Sequence, residues 1–145
     1  MEFIQASKSY YLDRSTYINL RWIAIIGQFI TINSVKFLLE FEFPYLLSNI
    51  IILFGILSNL YLYHFDINPQ ISNKSSFIYL LIDIFQLSIL LYLTGGVLNP
   101  FSIFLIIPSI FSSSNLNIRT NLTLITITLF IIIFLTFFSY DLPYP

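Results

Sequence analysis

The sequence predicts an all-α, polytopic integral membrane protein with five transmembrane helices and no soluble domain. Three observations carry that prediction. First, 57% of the 145 residues are hydrophobic and only 9% are charged, against about 25% charged in an ordinary soluble domain; the mean hydropathy is +0.87. Second, a hydrocarbon layer of about 30 Å needs roughly 20 apolar residues per helix, so five helices would occupy about 100 residues and leave only short loops. Third, the apolar runs do not alternate with polar residues as barrel strands do. Their Ile and Phe content would favour strands in water. In lipid, each backbone group must find its partner within its own element, so long apolar runs are helices.

Other classes are excluded on composition. The net charge is −1 and there is no basic run, so nothing favours nucleic acid as a partner. The chain has no cysteine and one histidine, His64. That removes disulfides, thiolate sites and a histidine metal cluster within one chain, and no metal site is expected. The first apolar run begins only near residue 22 and no small-x-small cleavage pattern follows it, so it is a retained span and not a signal peptide.

Residues 1–20 are polar, with Lys8 and Arg14, and form the N-terminal segment; 21–145 form the membrane domain. Span 1 covers about 22–39 and ends at Glu40 and Glu42, with Pro44 breaking the pattern. Span 2 covers about 45–63. A polar loop from His64 to Ser76 holds Asp66, Pro69 and Lys74. Span 3 covers about 77–94, and Gly95-Gly96-Val97-Leu98 is a very short connection. Span 4 covers about 100–114, with Pro108 expected to kink it and Ser109 and Ser112 expected to take up freed carbonyls. Span 5 covers about 122–138.

Orientation follows from Lys and Arg. Lys8, Arg14 and Arg21 precede span 1, Lys74 follows span 2 and Arg119 follows span 4. With five spans these segments share one side, which places the N-terminus in the cytoplasm. The other side holds only Lys36, four residues before Glu40 and expected to pair with it. Trp22 and tyrosines 10, 11, 17, 45, 61, 63, 92, 140 and 144 lie near predicted span ends, as interfacial aromatics do. His64 reads as a solvated loop residue.

Two places could carry function. In Gly95-Gly96-Val97-Leu98-Asn99-Pro100-Phe101, glycine suits a helix end, Asn99 an N-cap and Pro100 the first helical position. A tight outer-side hairpin accounts for that much. The apolar Val97 and Leu98, and backbone N–H groups bared beside the Phe101 ring, also suit a flat ligand with carbonyl oxygens and a lipid tail, such as a quinone. The second place is Asp83 in span 3, with Tyr79 and Gln86 on its face. An ionisable group inside a span is a functional candidate by default. The structural reading is a polar clamp to Gln28, Thr31 or Asn59. Gly27, Gly55, Ser58 and Asn59 are read as packing contacts.

The segments Leu20-Arg21-Trp22-Ile23-Ala24-Ile25-Ile26-Gly27-Gln28, Asp83-Ile84-Phe85-Gln86-Leu87 and Leu91-Tyr92-Leu93-Thr94-Gly95-Gly96-Val97-Leu98-Asn99-Pro100-Phe101, with the closing Leu142-Pro143-Tyr144, resemble the membrane sensor domain of the RegB/PrrB/ActS family of redox-responsive histidine kinases. The resemblance implies a multi-pass protein of the bacterial inner membrane. It also implies a ubiquinone or related quinone site at Gly95, Gly96, Asn99, Pro100 and Phe101. In that family a sixth span leads to a cytoplasmic transmitter with a phosphoaccepting histidine. The sequence departs from the family there, with no kinase region, which reads as a truncated or split sensor whose partners would be a second copy or a separate transmitter chain.

The expectation is therefore a quinone-binding redox sensor module of a two-component system. A small transporter component with Asp83 as its coupling residue is the alternative from another class, and an inactive remnant is a third. Transporters carry repeats and helices broken at mid-membrane; no repeat is visible, and the glycine–proline break lies at a span end.

Overall fold

The computed structural model describes residues 10–144. Five helical segments run back and forth, joined by short connections. A short strand, β1 (Tyr11–Asp13), leads into α1 (Arg14–Phe37); α2 is Tyr45–Phe65; a second strand, β2 (Gln70–Ser72), leads into α3 (Asn73–Leu93). A one-turn 3-10 helix, Gly96–Leu98, and a longer 3-10 stretch, Pro100–Ile106, lead into α4 (Ile107–Asn115), and α5 (Ile118–Phe137) completes the bundle.

Local chemistry sets the helix starts. Asp13 accepts a hydrogen bond from Thr16 N at 3.1 Å, Ser72 from Ser75 N at 3.3 Å, Asn99 from Phe101 N at 2.9 Å and Asn117 from Thr120 N at 2.9 Å. Each side-chain oxygen thereby satisfies one of the amides that a helix start leaves without a partner. These caps start α1 at Arg14 and not at Trp22, α3 at Asn73 and not at Phe77, and α5 at Ile118 and not at Leu122. Hydropathy finds the apolar middle of a helix, while the cap finds its end.

Three connections meet at one end of the bundle. β1 pairs antiparallel with β2, Leu12 opposite Ile71. Both residues are buried and join a core of Tyr17, Ile18, Leu62, Leu80, Ile84, Leu116 and Leu124. This ribbon has no counterpart in an all-helical expectation, because three-residue strands are too short to read from pattern. Asn73 Nδ2 donates to Thr120 Oγ1 at 2.8 Å and its Oδ1 accepts from Asn117 N at 3.1 Å, tying the α4–α5 turn to the same end. At the far end, Glu42 N donates to Tyr144 O at 3.1 Å and Tyr140 N to Tyr92 O at 2.8 Å. The three segments richest in Lys and Arg thus share one end.

Four helices, α1, α2, α3 and α5, are long and apolar enough to cross a membrane, and Pro100–Asn115 is a shorter apolar helical segment. Its geometry offsets its length. At about 2.0 Å per residue in 3-10 geometry and 1.5 Å in α geometry, the seven and nine residues of its two parts reach about 28 Å, against about 24 Å for a pure α-helix. Pro108 sits in the first turn of α4, where it can make no bond back to the preceding turn and crowds the carbonyl four residues earlier; the irregularity precedes it as a 3-10 stretch. Ser109 and Ser112 do not take up freed carbonyls. Among the described residues, their hydroxyls and Asn121 Oδ1 are buried without a hydrogen-bond partner.

The bundle is apolar outside and polar at selected points inside. Ile23, Phe54 and Phe130 are 68%, 64% and 69% exposed, while Arg21, Asn59 and Gln86 are buried. Such a surface is stable only in hydrocarbon, where apolar side chains lose nothing by facing outward. Lys36 does not pair with Glu40. Glu40 lies past the end of α1 with φ 56°, and Lys36 Nζ reaches Glu42 at 3.3 Å instead.

Candidate functional site

The bend between α3 and α4 is built by the residues singled out for it. Gly95 (φ 110°) and Gly96 (φ 60°) both occupy backbone regions that side chains strain to adopt. They let the chain leave α3 and enter the 3-10 turn within two residues. Asn99 then works in both directions. Its Nδ2 donates to Thr94 O at 3.1 Å and to Thr94 Oγ1 at 2.9 Å, while its Oδ1 caps the next segment at Phe101 N. Pro100 follows at the first helical position.

The glycines are buried, and they face protein. A Cβ on Gly95 would lie 2.7 Å from Leu142 Cδ1, and one on Gly96 would lie 2.6 Å from Ser139 Oγ and 2.9 Å from Leu135 O. The tail after α5 therefore packs onto the bend, a contact that no local pattern could reveal. Leu98 (74%) and Phe101 (42%) point outward, and the Phe101 ring lies 5.7 Å from that of Phe104.

Beside the bend runs a groove of about 610 Å³ between α3 and α5, lined by Phe85, Tyr92, Phe130, Phe134 and Leu135 among others. Its walls are almost wholly apolar. Tyr92 and Phe134 stack at 6.3 Å, and Tyr140 meets Tyr92 edge-on at 5.5 Å. Leu135 lines this groove, and its backbone carbonyl packs against Gly96, so groove and bend are neighbours that share a residue.

Asp83 has other partners than those expected. It does not clamp Gln28, Thr31 or Asn59. Arg21 Nε donates to its Oδ1 at 2.9 Å, and the Tyr17 hydroxyl donates to its Oδ2. Arg21 Nη2 also donates to Ser58 Oγ at 2.6 Å, Arg21 Nη1 reaches Asn59 Oδ1 at 3.5 Å, and Asn59 Nδ2 donates to Ile18 O at 3.3 Å. The cluster joins α1, α2 and α3. Arg21, read from sequence as a cation preceding span 1, is 5% exposed, and Tyr17, read as interfacial, is 4% exposed. Both readings fail for one reason: α1 starts earlier than its hydropathy suggests, which draws 14–21 into the bundle. Tyr79 shares the face, its ring edge-on to Tyr17 at 6.5 Å.

Gln28 is taken by Gln86 instead, whose Nε2 donates to Gln28 Oε1 at 2.9 Å. Gly55 makes room for this pair, since a Cβ there would come within 2.6 Å of Gln86 Nε2. His64 is exposed in the last turn of α2.

Apolar outer faces, buried polar clamps and a sharply capped bend define a multi-pass helical membrane domain. The comparisons give the family. The PilS-like transmembrane domain matches residues 15–144, and the chain belongs to that family. It is 31% identical over 128 residues to the sensor histidine kinase RegB of Cereibacter sphaeroides, an alignment covering 88% of this chain and 28% of that protein. The chain is thus a RegB-like membrane sensor domain that spans little more than a quarter of this relative's length. No solved structure matches it.

Proposed function

We propose that this domain is the quinone-responsive sensor of a two-component histidine kinase. It crosses the bacterial inner membrane five times, with its N-terminus in the cytoplasm and the Gly95–Phe101 bend at the outer rim. The transmitter is carried by the remainder of a longer polypeptide or by a partner chain, and a second copy of the domain is the natural partner in the membrane. The observation that supports this reading most is the aromatic groove between α3 and α5, which runs to Tyr92 and Leu135 beside the bend. An isoprenoid tail fits the apolar wall of Phe85, Phe130 and Phe134, and the flat head lies against Asn99, Pro100 and Phe101 on the outer side of the bend; Gly95 and Gly96, filled from behind by Leu142 and Ser139, shape the bend and do not themselves touch the head.

The chemistry of the bend gives the redox preference. A quinone ring only accepts hydrogen bonds, whereas a quinol also donates. The Asn99 amide donates twice to Thr94, and a quinone carbonyl competes with Thr94 for those hydrogens. Binding of the oxidised ring therefore exchanges contacts that hold α3 to the start of the next segment. A ligand shifts a conformational equilibrium only through such a difference between states. The test is titration of ubiquinone-2 into the chain in lipid nanodiscs. Asn99→Ala, losing one or two hydrogen bonds, weakens binding about 5- to 50-fold. Unchanged binding would remove the site from the bend.

A further inference from the structure

The most polar point inside the bundle lies away from the bend. Arg21 and Asp83 form an ion pair within the crossing segments, and the side chain of Asp83 retains 22% of its exposure. The groups facing the carboxylate are few. From α1 come Tyr17 and Arg21; from α2 come Ser58 and Asn59, neither titratable, through Arg21; from α3 comes Tyr79, through Tyr17. The segment Pro100–Asn115 has no titratable residue, and α5 has only Arg119, exposed in its first turn.

The pair is asymmetric in depth. Arg21 lies about 10 Å along α1 from its first residue, within reach of the interface for a long side chain that can snorkel. Asp83 lies about 15 Å along α3, and its short carboxylate cannot follow. Drawing α1 away from α3 would let Arg21 find water while leaving Asp83 as a lone carboxylate in hydrocarbon. That is costly unless the carboxylate takes up a proton.

The β1–β2 ribbon and Arg14 fasten the first turn of α1; beyond that turn α1 is the least buried of the four long helices and swings about its fastened end. Only 17% of its apolar window is buried, against 44% for α3. Its buried residues are Tyr17, Ile18, Arg21 and Ile25. Its other side-chain hydrogen bonds to the bundle are those of Arg14, in its first turn, to Leu62 O and Tyr63 O, and, further along, two neutral amide pairs, Gln28 with Gln86 and Asn33 with Asn49. An opening lies beside the cluster as well. A groove of about 370 Å³ between α2 and α3 is lined by Ser58, Tyr61, Ser75 and Tyr79, among others, and Ser58 is the hydroxyl that accepts from Arg21.

We propose that Asp83 is a proton-binding site inside the membrane domain, and that its protonation releases α1 from α3. The chain has no cysteine, so spin labels can be placed at Leu20→Cys and Ile78→Cys, both outward-facing positions, in the full chain in nanodiscs. At neutral pH the α1–α3 distance is short. On acidification a longer distance grows from a minor fraction to the majority. Asp83→Asn holds the longer distance at every pH, and the Arg21→Gln/Asp83→Asn double variant, which leaves no buried charge, gives a distance distribution that no longer responds to pH. A wild-type distribution unchanged by acid, or a double variant that titrates as the wild type does, would overturn the proposal. The double variant keeps the test decisive even where Asp83→Asn alone, with Arg21 unpaired, fails to insert.

Discussion

Gly96 is pressed against Ser139: a Cβ on the glycine would stand 2.6 Å from the serine Oγ. The contact fastens the α3–α4 bend to the tail of α5, elements that are distant in sequence. Gly96→Ala must therefore both adopt a strained φ of 60° and push the tail away. We expect a loss of about 1–3 kcal/mol, measured by thermal unfolding in detergent. Gly27→Ala is the control. Nothing lies within 4 Å of a Cβ there, so it is neutral or slightly stabilising.

Gly55 and Gln86 should be energetically coupled. Gly55→Ala drives its Cβ to 2.6 Å from Gln86 Nε2 and breaks the Gln28–Gln86 hydrogen bond. In a Gln86→Ala background the same substitution no longer meets the three atoms nearest to it, all of them Gln86's. A double-mutant cycle should give an interaction of about 1–2 kcal/mol, and simple additivity would contradict the packing described.

Asn73 holds the α4–α5 turn to α3 through Thr120 Oγ1 and Asn117 N. Asn73→Ala deletes both bonds and leaves a partly buried amide without its partner, at a cost of about 1–3 kcal/mol. Hydrogen exchange should rise at Asn117 and Thr120 before it rises elsewhere in α5.

The N-cap of α1 gives a pH dependence with a fixed sign. Hydrogen bonds from the Thr16 hydroxyl and amide hold the exposed Asp13 carboxyl below its usual range. A folded-state value below the unfolded one means the cap contributes above the unfolded value and is lost as pH falls through the folded one. The wild type should show α1 fraying at acid pH by hydrogen exchange at Thr16. Asp13→Ala should fray at all pH values, and Asp13→Asn, which keeps an oxygen for the amide, should lose the pH response.

How far the sequence reached depends on the range of each interaction. The bend was legible because glycine, asparagine and proline act within a few residues: Asn99 caps and Pro100 follows, as their chemistry requires. Asp83 was legible as a buried acid because hydrocarbon makes any carboxylate conspicuous. Its partners were not, because Arg21 and Tyr17 meet it only across helices, and an arginine before an apolar run looks the same whether it faces headgroups or a carboxylate. The Lys36–Glu40 pairing failed because it assumed that the helix continued, whereas α1 stops at Phe37. The 3-10 stretch from Pro100 to Ile106 was hidden because 3-10 and α segments share composition, and only the span length to be covered separates them.

The proposed quinone site joins the α3–α5 groove to the outer side of the Gly95–Phe101 bend. Photolabelling with an azido-ubiquinone in nanodiscs, followed by peptide mapping, tests it most directly. Adducts on Tyr92, Phe101 or Phe134 that excess ubiquinone-2 suppresses are the predicted result. Adducts confined to other faces of the bundle, or labelling that the competitor leaves unchanged, would contradict it.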